Sequence, residues 1–239
     1  MDHIMDKIVI LSGAGLSAQS GISTFRDTKG LWEEYDIEEI CMSGCLNWNY
    51  DETIHFYNLR REDIQDKLPN HAHEKIAKLK KEFPDQIEVI TQNVDNLLER
   101  AGCPDTLHLH GFLPELRCME CDDIVNISYD EQDESNSHCE KCNGQMRPNI
   151  VFFGEPAPRY EEMYNILERC GLLIIIGTSG NVLDANYLAQ YADIAILNNL
   201  EPNDVITEEV FDQIYYENAT TAIDKIEIDI RNYIENGTI

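Results

Sequence analysis

Positive charge is scarce in this chain. Its 239 residues carry 45 Asp and Glu against 18 Lys and Arg, a net charge of −27. Such a field repels the phosphates of nucleic acid and the anionic face of a membrane, which excludes both as default partners. It attracts basic segments, lysine-rich protein tails among them, and as solvated surface it aids solubility. Long apolar runs are also missing. The longest spans 172–176, far short of the roughly 20 residues that cross a bilayer. The opening MDHIMDKIVIL has neither a basic region nor an apolar stretch ending in small residues, so a cytoplasmic location is expected. Thiols stay reduced there, and eight cysteines then read as metal ligands or free thiols rather than a disulfide framework. The length and a 43% hydrophobic content suit one sizeable core with a smaller satellite, and no internal repeat is present.

Four short Ile/Val/Leu runs each end in a polar or glycine-rich segment. They are 7–11 before Ser12-Gly13-Ala14-Gly15, 87–90 before Thr91-Gln92-Asn93-Val94-Asp95, 172–176 before Gly177-Thr178-Ser179, and 194–197 before Asn198-Asn199-Leu200-Glu201. Continuous runs of this kind read as parallel strands buried on both faces, an α/β fold. Ligands bind beyond the carboxyl ends of such strands, so the four polar segments are expected to converge on one crevice. Helical spacing predicts helices over 51–68, 72–83, 94–102 and 160–171, the last two ending in glycine. The stretch 129–137 is acidic and polar and predicts a flexible excursion. The segment 223–234 fits a helix or an alternating strand.

Two Cys-x2-Cys pairs, Cys118/Cys121 and Cys139/Cys142, are separated by seventeen residues. That spacing fits a tetrahedral, all-thiolate zinc site, and four thiolates leave no open position, so the metal is structural. Cys41, Cys45, Cys103 and Cys170 have no ligand-like spacing and read as small buried apolar residues. Gly13-Ala14-Gly15-Leu16-Ser17-Ala18 fits G-x-G-x-x-G/A after a strand, which serves either a dinucleotide pyrophosphate or a simple tight turn. The second strand ending in an acid about twenty residues on is absent, which speaks against a hydride-transferring dehydrogenase. Gln92, Asn93 and Asp95 can bond an amide, a ribose or the start of the next helix. In Leu107-His108-Leu109-His110-Gly111 the alternation puts both imidazoles on one side, as base or as structural residues.

The segments 13–26, GLW at 30–32, TQNVDNLLERAG at 91–102, HLHG at 108–111, both cysteine pairs, RPNIVFFGE at 147–155, GTSGNV at 177–182 and NLEP at 199–202 together resemble the sirtuins, a family of NAD-dependent protein-lysine deacylases. The resemblance spans nearly the whole chain, in the family's order. It implies a Rossmann-type NAD domain (1–38, 85–115 and 147–239), a helical insertion (39–84) and a zinc module (116–146). By the same resemblance Gly13, Ala14, Gly15, Ser17, Ala18, Phe25 and Arg26 surround the pyrophosphate and nicotinamide ribose, and Gln92, Asn93 and Asp95 line the ribose and nicotinamide pocket. Gly177, Thr178, Ser179, Asn199, Leu200, Glu201 and Ala219 hold the adenosine side. Val151, Phe153, Gly154 and Glu155, with Phe152 among them, pair with the backbone of an acyl-lysine peptide, and His110 with Asn93 carries catalysis. The implied reaction consumes NAD: the acyl oxygen displaces nicotinamide, His110 activates a ribose hydroxyl, and free lysine and O-acyl-ADP-ribose result.

Tyr57 and Arg60 share a helix face at i,i+3 and resemble the pair found in the subgroup that removes succinyl and malonyl groups. Guanidinium and phenol suit a carboxylate; packing of Tyr57 and local pairing of Arg60 are the other reading. Two other activities fit the same fold, plain deacetylation and protein ADP-ribosylation. Gln19, Ser23 and Asp184 depart from the family's usual Glu, Pro and Pro.

Overall fold

The structure, a computed structural model, describes residues 6–23, 35–103 and 105–239. In chain order the elements are β1 (Lys7–Ser12), α1 (Gly15–Ala18), α2 (Ile37–Ile40), α3 (Tyr50–Gln65), α4 (His71–Glu82), β2 (Ile87–Thr91), α5 (Leu97–Arg100), β3 (Leu107–His108), β4 (Gly111–Cys118), β5 (Ile124–Asn126), β6 (Met146–Ile150), α6 (Tyr160–Leu167), β7 (Cys170–Ile176), α7 (Ala185–Ala189), β8 (Ile194–Asn199), β9 (Gln213–Tyr216) and α8 (Ala219–Asn236). Six strands form one sheet in the order β3-β2-β1-β7-β8-β9, and every neighbouring pair is parallel. This is the strand order of a Rossmann sheet, with the direction of winding reversing between β1 and β7.

The four apolar runs are strands because both faces of the sheet are covered. Along β1, Ile8 and Ile10 join a layer with Ile76 and Leu79 of α4 and Ile223, Ile226 and Ile230 of α8. Val9 and Leu11 point the other way, to Met163 and Leu167 of α6 and Leu188 of α7. Each such side chain contributes about 1.5–3 kcal/mol on leaving water. A third cluster joins Phe56, Tyr57 and Ile64 of α3 to Leu113, Ile150 and Phe152, which seats that helix against β4 and the end of β6. A small antiparallel sheet, β5-β4-β6, carries the cysteine module on a core of Leu116, Cys118, Cys139 and Met146.

Several expectations change. The helix expected over 160–171 stops at Leu167, and Cys170 and Gly171 already belong to β7. Of 94–102 only Leu97–Arg100 is helical. The segment 223–234 is helix, since Ile223, Ile226 and Ile230 face one buried layer at helical spacing. The stretch 129–137, expected as a flexible excursion, is mostly exposed but is anchored at Gln132. Gln132 is buried, donates to the Met146 carbonyl at 2.9 Å, and exchanges two backbone bonds with the Asn58 side chain of α3, each 2.9 Å. Among the described residues no helix is long and apolar enough to cross a membrane.

Candidate active site

The crevice lies where β1 and β7 end. Gly13 N–H donates to Ile176 O at 2.8 Å and Gly15 N–H to Gly177 O at 2.9 Å, which ties the two loops together. A Cβ on Gly13 would stand 2.7 Å from the Gly177 oxygen, and one on Gly15 2.6 Å from the Gly177 Cα. Gly177 itself has φ +66° and is equally crowded by Gly15. The glycines therefore let two backbones touch and leave a bare floor, the surface a pyrophosphate needs for close approach. Ala14 and Ala18 flank this turn, half-buried.

Beside the floor the side chains form one network. Ser17 is buried, and its Oγ lies 3.0 Å from Asp95 Oδ2, 3.1 Å from Asn93 Nδ2 and 3.3 Å from His73 Nε2. His73 Nδ1 accepts from the Asn70 backbone N–H at 3.2 Å, so Nε2 carries its proton. Ser17 then accepts from His73 and Asn93 and donates to Asp95. The other Asp95 oxygen accepts from Leu97 N–H at 3.0 Å, so this one carboxylate both starts α5 and anchors the network. Burial pushes the Asp95 carboxyl up, against the pull of the Leu97 and Ser17 bonds. Burial also pushes His73 down to about 4, so it is neutral. His73 was missed in the sequence; the Asn70-x-x-His73 spacing of a capping box was its only local signal. Gln92 Nε2 bridges to Thr178 Oγ1 at 3.2 Å, closing the crevice between β2 and β7.

The two histidines follow the expected alternation, with Leu107 and Leu109 buried behind them. Their Nδ1 atoms meet successive carbonyls, His108 at Asn93 O (2.9 Å) and His110 at Gln92 O (3.1 Å). His108 Nε2 faces Glu99 at 2.9 Å and is closed off, whereas His110 Nε2 meets the Tyr160 hydroxyl at 2.9 Å. Burial pushes the His110 pKa below its ordinary value, with the Gln92 carbonyl acting the other way.

On the opposite wall, Tyr57 and Arg60 are both buried. The Tyr57 ring lies parallel to Phe152, with centroids 5.5 Å apart, and its hydroxyl is 3.6 Å from Cys41 Sγ. Burial lowers the Arg60 pKa, and the carboxylates of Asp63 and Asp95 oppose this. In the 151–155 segment, Val151 N–H donates to His110 O at 2.9 Å, and Phe153 is taken on both backbone groups by Cys41 and Ser43. Gly154 is exposed with φ +83°. Glu155 turns inward to a bidentate pair with Arg147, at 2.6 and 3.1 Å. On the far side of the crevice Asn199 and Ala219 are buried, Ser179 is half-buried, and Leu200 and Glu201 lie on the exposed rim. Asp184, where the related pattern has Pro, accepts from the Asn186 and Tyr187 N–H groups and caps α7. Phe25, Arg26 and the GLW segment lie outside the described residues.

The four cysteine Sγ atoms lie within 4.8 Å of one another, and three Sγ–Sγ distances are 3.4–3.7 Å. A Zn–S bond of about 2.3 Å gives sulfur separations of about 3.8 Å in a tetrahedron, so the thiolates fit a structural zinc ion. Glu120, Lys141 and Gly144 N–H groups donate to Cys118, Cys139 and Cys142 sulfur, each at 3.4 Å. Asp122 and Asn143, each following the second cysteine of a pair, take the left-handed turn that a knuckle needs. His138 bonds Ser137 instead of joining the cluster.

A Sir2 family profile matches residues 13–184. The NAD-dependent protein deacylase of Campylobacter jejuni subsp. jejuni serotype O:2 is 50% identical over 236 residues, covering 98% of this chain and all of that protein. That of Helicobacter hepaticus is 42% identical over 256 residues, covering 96% of this chain and 99% of that protein. The crystal structure of a Sir2 homolog–NAD complex superposes with a TM-score of 0.83 at 30% identity, covering 95% of this chain and 90% of the other. A Sir2 homologue variant bound to ADP-ribose gives 0.84, also at 30% identity, with 96% and 94% covered. The chain belongs to the Sir2 family, and it is a Rossmann-type enzyme of that family with a four-cysteine metal site.

Proposed function

We propose that the chain is an NAD-dependent protein-lysine deacylase, acting in a cytoplasmic setting, that prefers acidic acyl groups such as succinyl and malonyl and also accepts acetyl. The observation that carries the deacylase reading is Asn93 and Asp95 held on Ser17 beside the glycine floor, with His110 fixed on the carbonyl of the adjoining Gln92. A protein that merely bound a nucleotide would have no need of a neutral, half-buried imidazole there. Bound NAD supplies an electrophilic anomeric carbon from which nicotinamide departs. In this reading Gly13 and Gly15 seat its pyrophosphate, and Gly177, Thr178, Asn199 and Ala219 flank the adenosine. Asn93, fixed by Ser17, orients the nicotinamide ribose, and His110 takes the proton of the ribose hydroxyl that attacks the acyl carbon. The peptide laid along 151–155 keeps water out until nicotinamide has left; one water is then consumed as the amine departs, giving free lysine and O-acyl-ADP-ribose.

The division of labour we propose assigns NAD binding to 1–38, 85–115 and 147–239, acyl recognition to the helical insertion 39–84, and support of that insertion to the zinc module 116–146. The acidic preference is supported by Arg60, buried on α3 one turn from Tyr57 and within electrostatic reach of Asp95. A carboxylate on the acyl group and this guanidinium are matched for a bidentate, charge-assisted pair. The test compares wild type and Arg60→Met on acetyl-lysine and succinyl-lysine forms of one peptide with NAD. Succinyl turnover efficiency should fall roughly ten- to a hundredfold while acetyl turnover holds, as expected for one buried charge-assisted pair. A wild type that ignores the succinyl peptide would leave a plain deacetylase; no nicotinamide release from either peptide would end the deacylase reading.

A further inference from the structure

His110 has one nitrogen to offer as a base, and that nitrogen is already engaged. A carbonyl oxygen only accepts, so the 3.1 Å contact with Gln92 O requires the proton on Nδ1. The ring is half-buried and its pKa is depressed, so Nε2 is unprotonated near neutral pH and holds a single in-plane lone pair. The Tyr160 hydroxyl lies 2.9 Å from that atom. Burial raises the Tyr160 pKa, so the phenol keeps its proton, and a protonated phenol facing a lone pair donates to it. One lone pair cannot serve both Tyr160 and a ribose hydroxyl.

We propose that Tyr160 is a cap on the catalytic base: its hydroxyl holds the His110 Nε2 lone pair while the site is empty and yields it to the ribose hydroxyl when the nucleotide binds. Tyr160 is placed to do this. It is the first residue of α6, half-buried, and the connection 156–159 joins it directly to the 151–155 segment. Its ring is tilted 45° to the imidazole at 6.0 Å, so it meets His110 through its hydroxyl and not by stacking. Among the described residues, the groups facing His110 are the Gln92 carbonyl after β2 and the Tyr160 phenol of α6, and no charged side chain contributes to its shift. The cap does two things. It keeps the neutral imidazole in the tautomer and rotamer the reaction needs, and it shields the base from water until a substrate hydroxyl displaces it.

The proposal rests on the reading of His110 as the base. The experiment titrates His110 by NMR in histidine-labelled protein, wild type and Tyr160→Phe, with and without saturating ADP-ribose; His110→Ala assigns the resonance. In the empty protein, loss of the O–H donor to the neutral ring should raise the His110 pKa by about one pH unit. With ADP-ribose bound the two proteins should agree, because the cap has already left. Equal values in the two empty proteins would overturn the proposal, since the hydroxyl then does not hold the lone pair. A difference that persists with ADP-ribose would overturn it too, since Tyr160 then stays on the imidazole throughout. The underlying reading has its own check: if His110→Ala still makes O-acyl-ADP-ribose, His110 is not the base, whatever the titrations give.

Discussion

His73 shows how much a single buried imidazole can govern. The unfolded ring takes a proton near pH 6.5, while the folded one resists until about 4 because burial disfavours its charge. The stabilisation is therefore complete above pH 6.5 and is lost progressively as pH falls to 4, about 3 kcal/mol in all. Urea unfolding of wild type and His73→Gln between pH 7 and 4 should show this as a difference in slope, the variant lacking one proton's worth of pH dependence. Parallel slopes would mean that His73 titrates normally. At this scale the sequence was legible where spacing carries chemistry. Two Cys-x2-Cys pairs and the His-x-His-Gly run announce themselves locally. His73 and Tyr160 do not, because each gains its role only from a partner fifty or more positions away, Ser17 in one case and His110 in the other.

The strand-end loops are the elements on which nucleotide binding depends. Gly15 has ordinary backbone angles, so its need for glycine comes from contact: a Cβ there meets Gly177 backbone at 2.6 Å, where nothing flexible can give way. Gly15→Ala should push the β1 and β7 loops apart and weaken NAD binding roughly ten- to a hundredfold, in line with the 1–3 kcal/mol typical of overpacking. Calorimetric titration with NAD measures it, and an unchanged Kd would remove these loops from the nucleotide site. The strands were readable because four apolar runs buried on both faces leave little choice of conformation. β9 was not. Gln213–Tyr216 is a half-buried edge strand, and its residues alternate too weakly to stand out from a loop. The end of α6 was misplaced for a related reason, since Cys170-Gly171 looks like a helix stop, but Cys170 pairs with Lys7 and Gly171 is passed over at a register shift before Leu172 meets Ile8.

Across the whole molecule, the four-cysteine module and α3 are joined. Gln132 of the module and Asn58 of α3 bond each other twice, and Asn58 lies between Tyr57 and Arg60. Chelation of zinc should therefore do more than loosen 116–146. It should lower the melting temperature, and it should reduce succinyl turnover more than NAD affinity, since the glycine floor lies on the main sheet. Equal loss of both would place the damage in the Rossmann core instead. The long-range pairing of that core has a consequence in time. β1 is the central strand, yet its neighbour β7 pairs Lys7 with Cys170, about 160 residues later. During synthesis the first strand must wait roughly 10 to 30 s for that neighbour to be made, at 5–20 residues per second. Until then one edge of an apolar strand stands open, and a nascent chain stalled before residue 170 is the form of this enzyme most exposed to aggregation and to capture by chaperones.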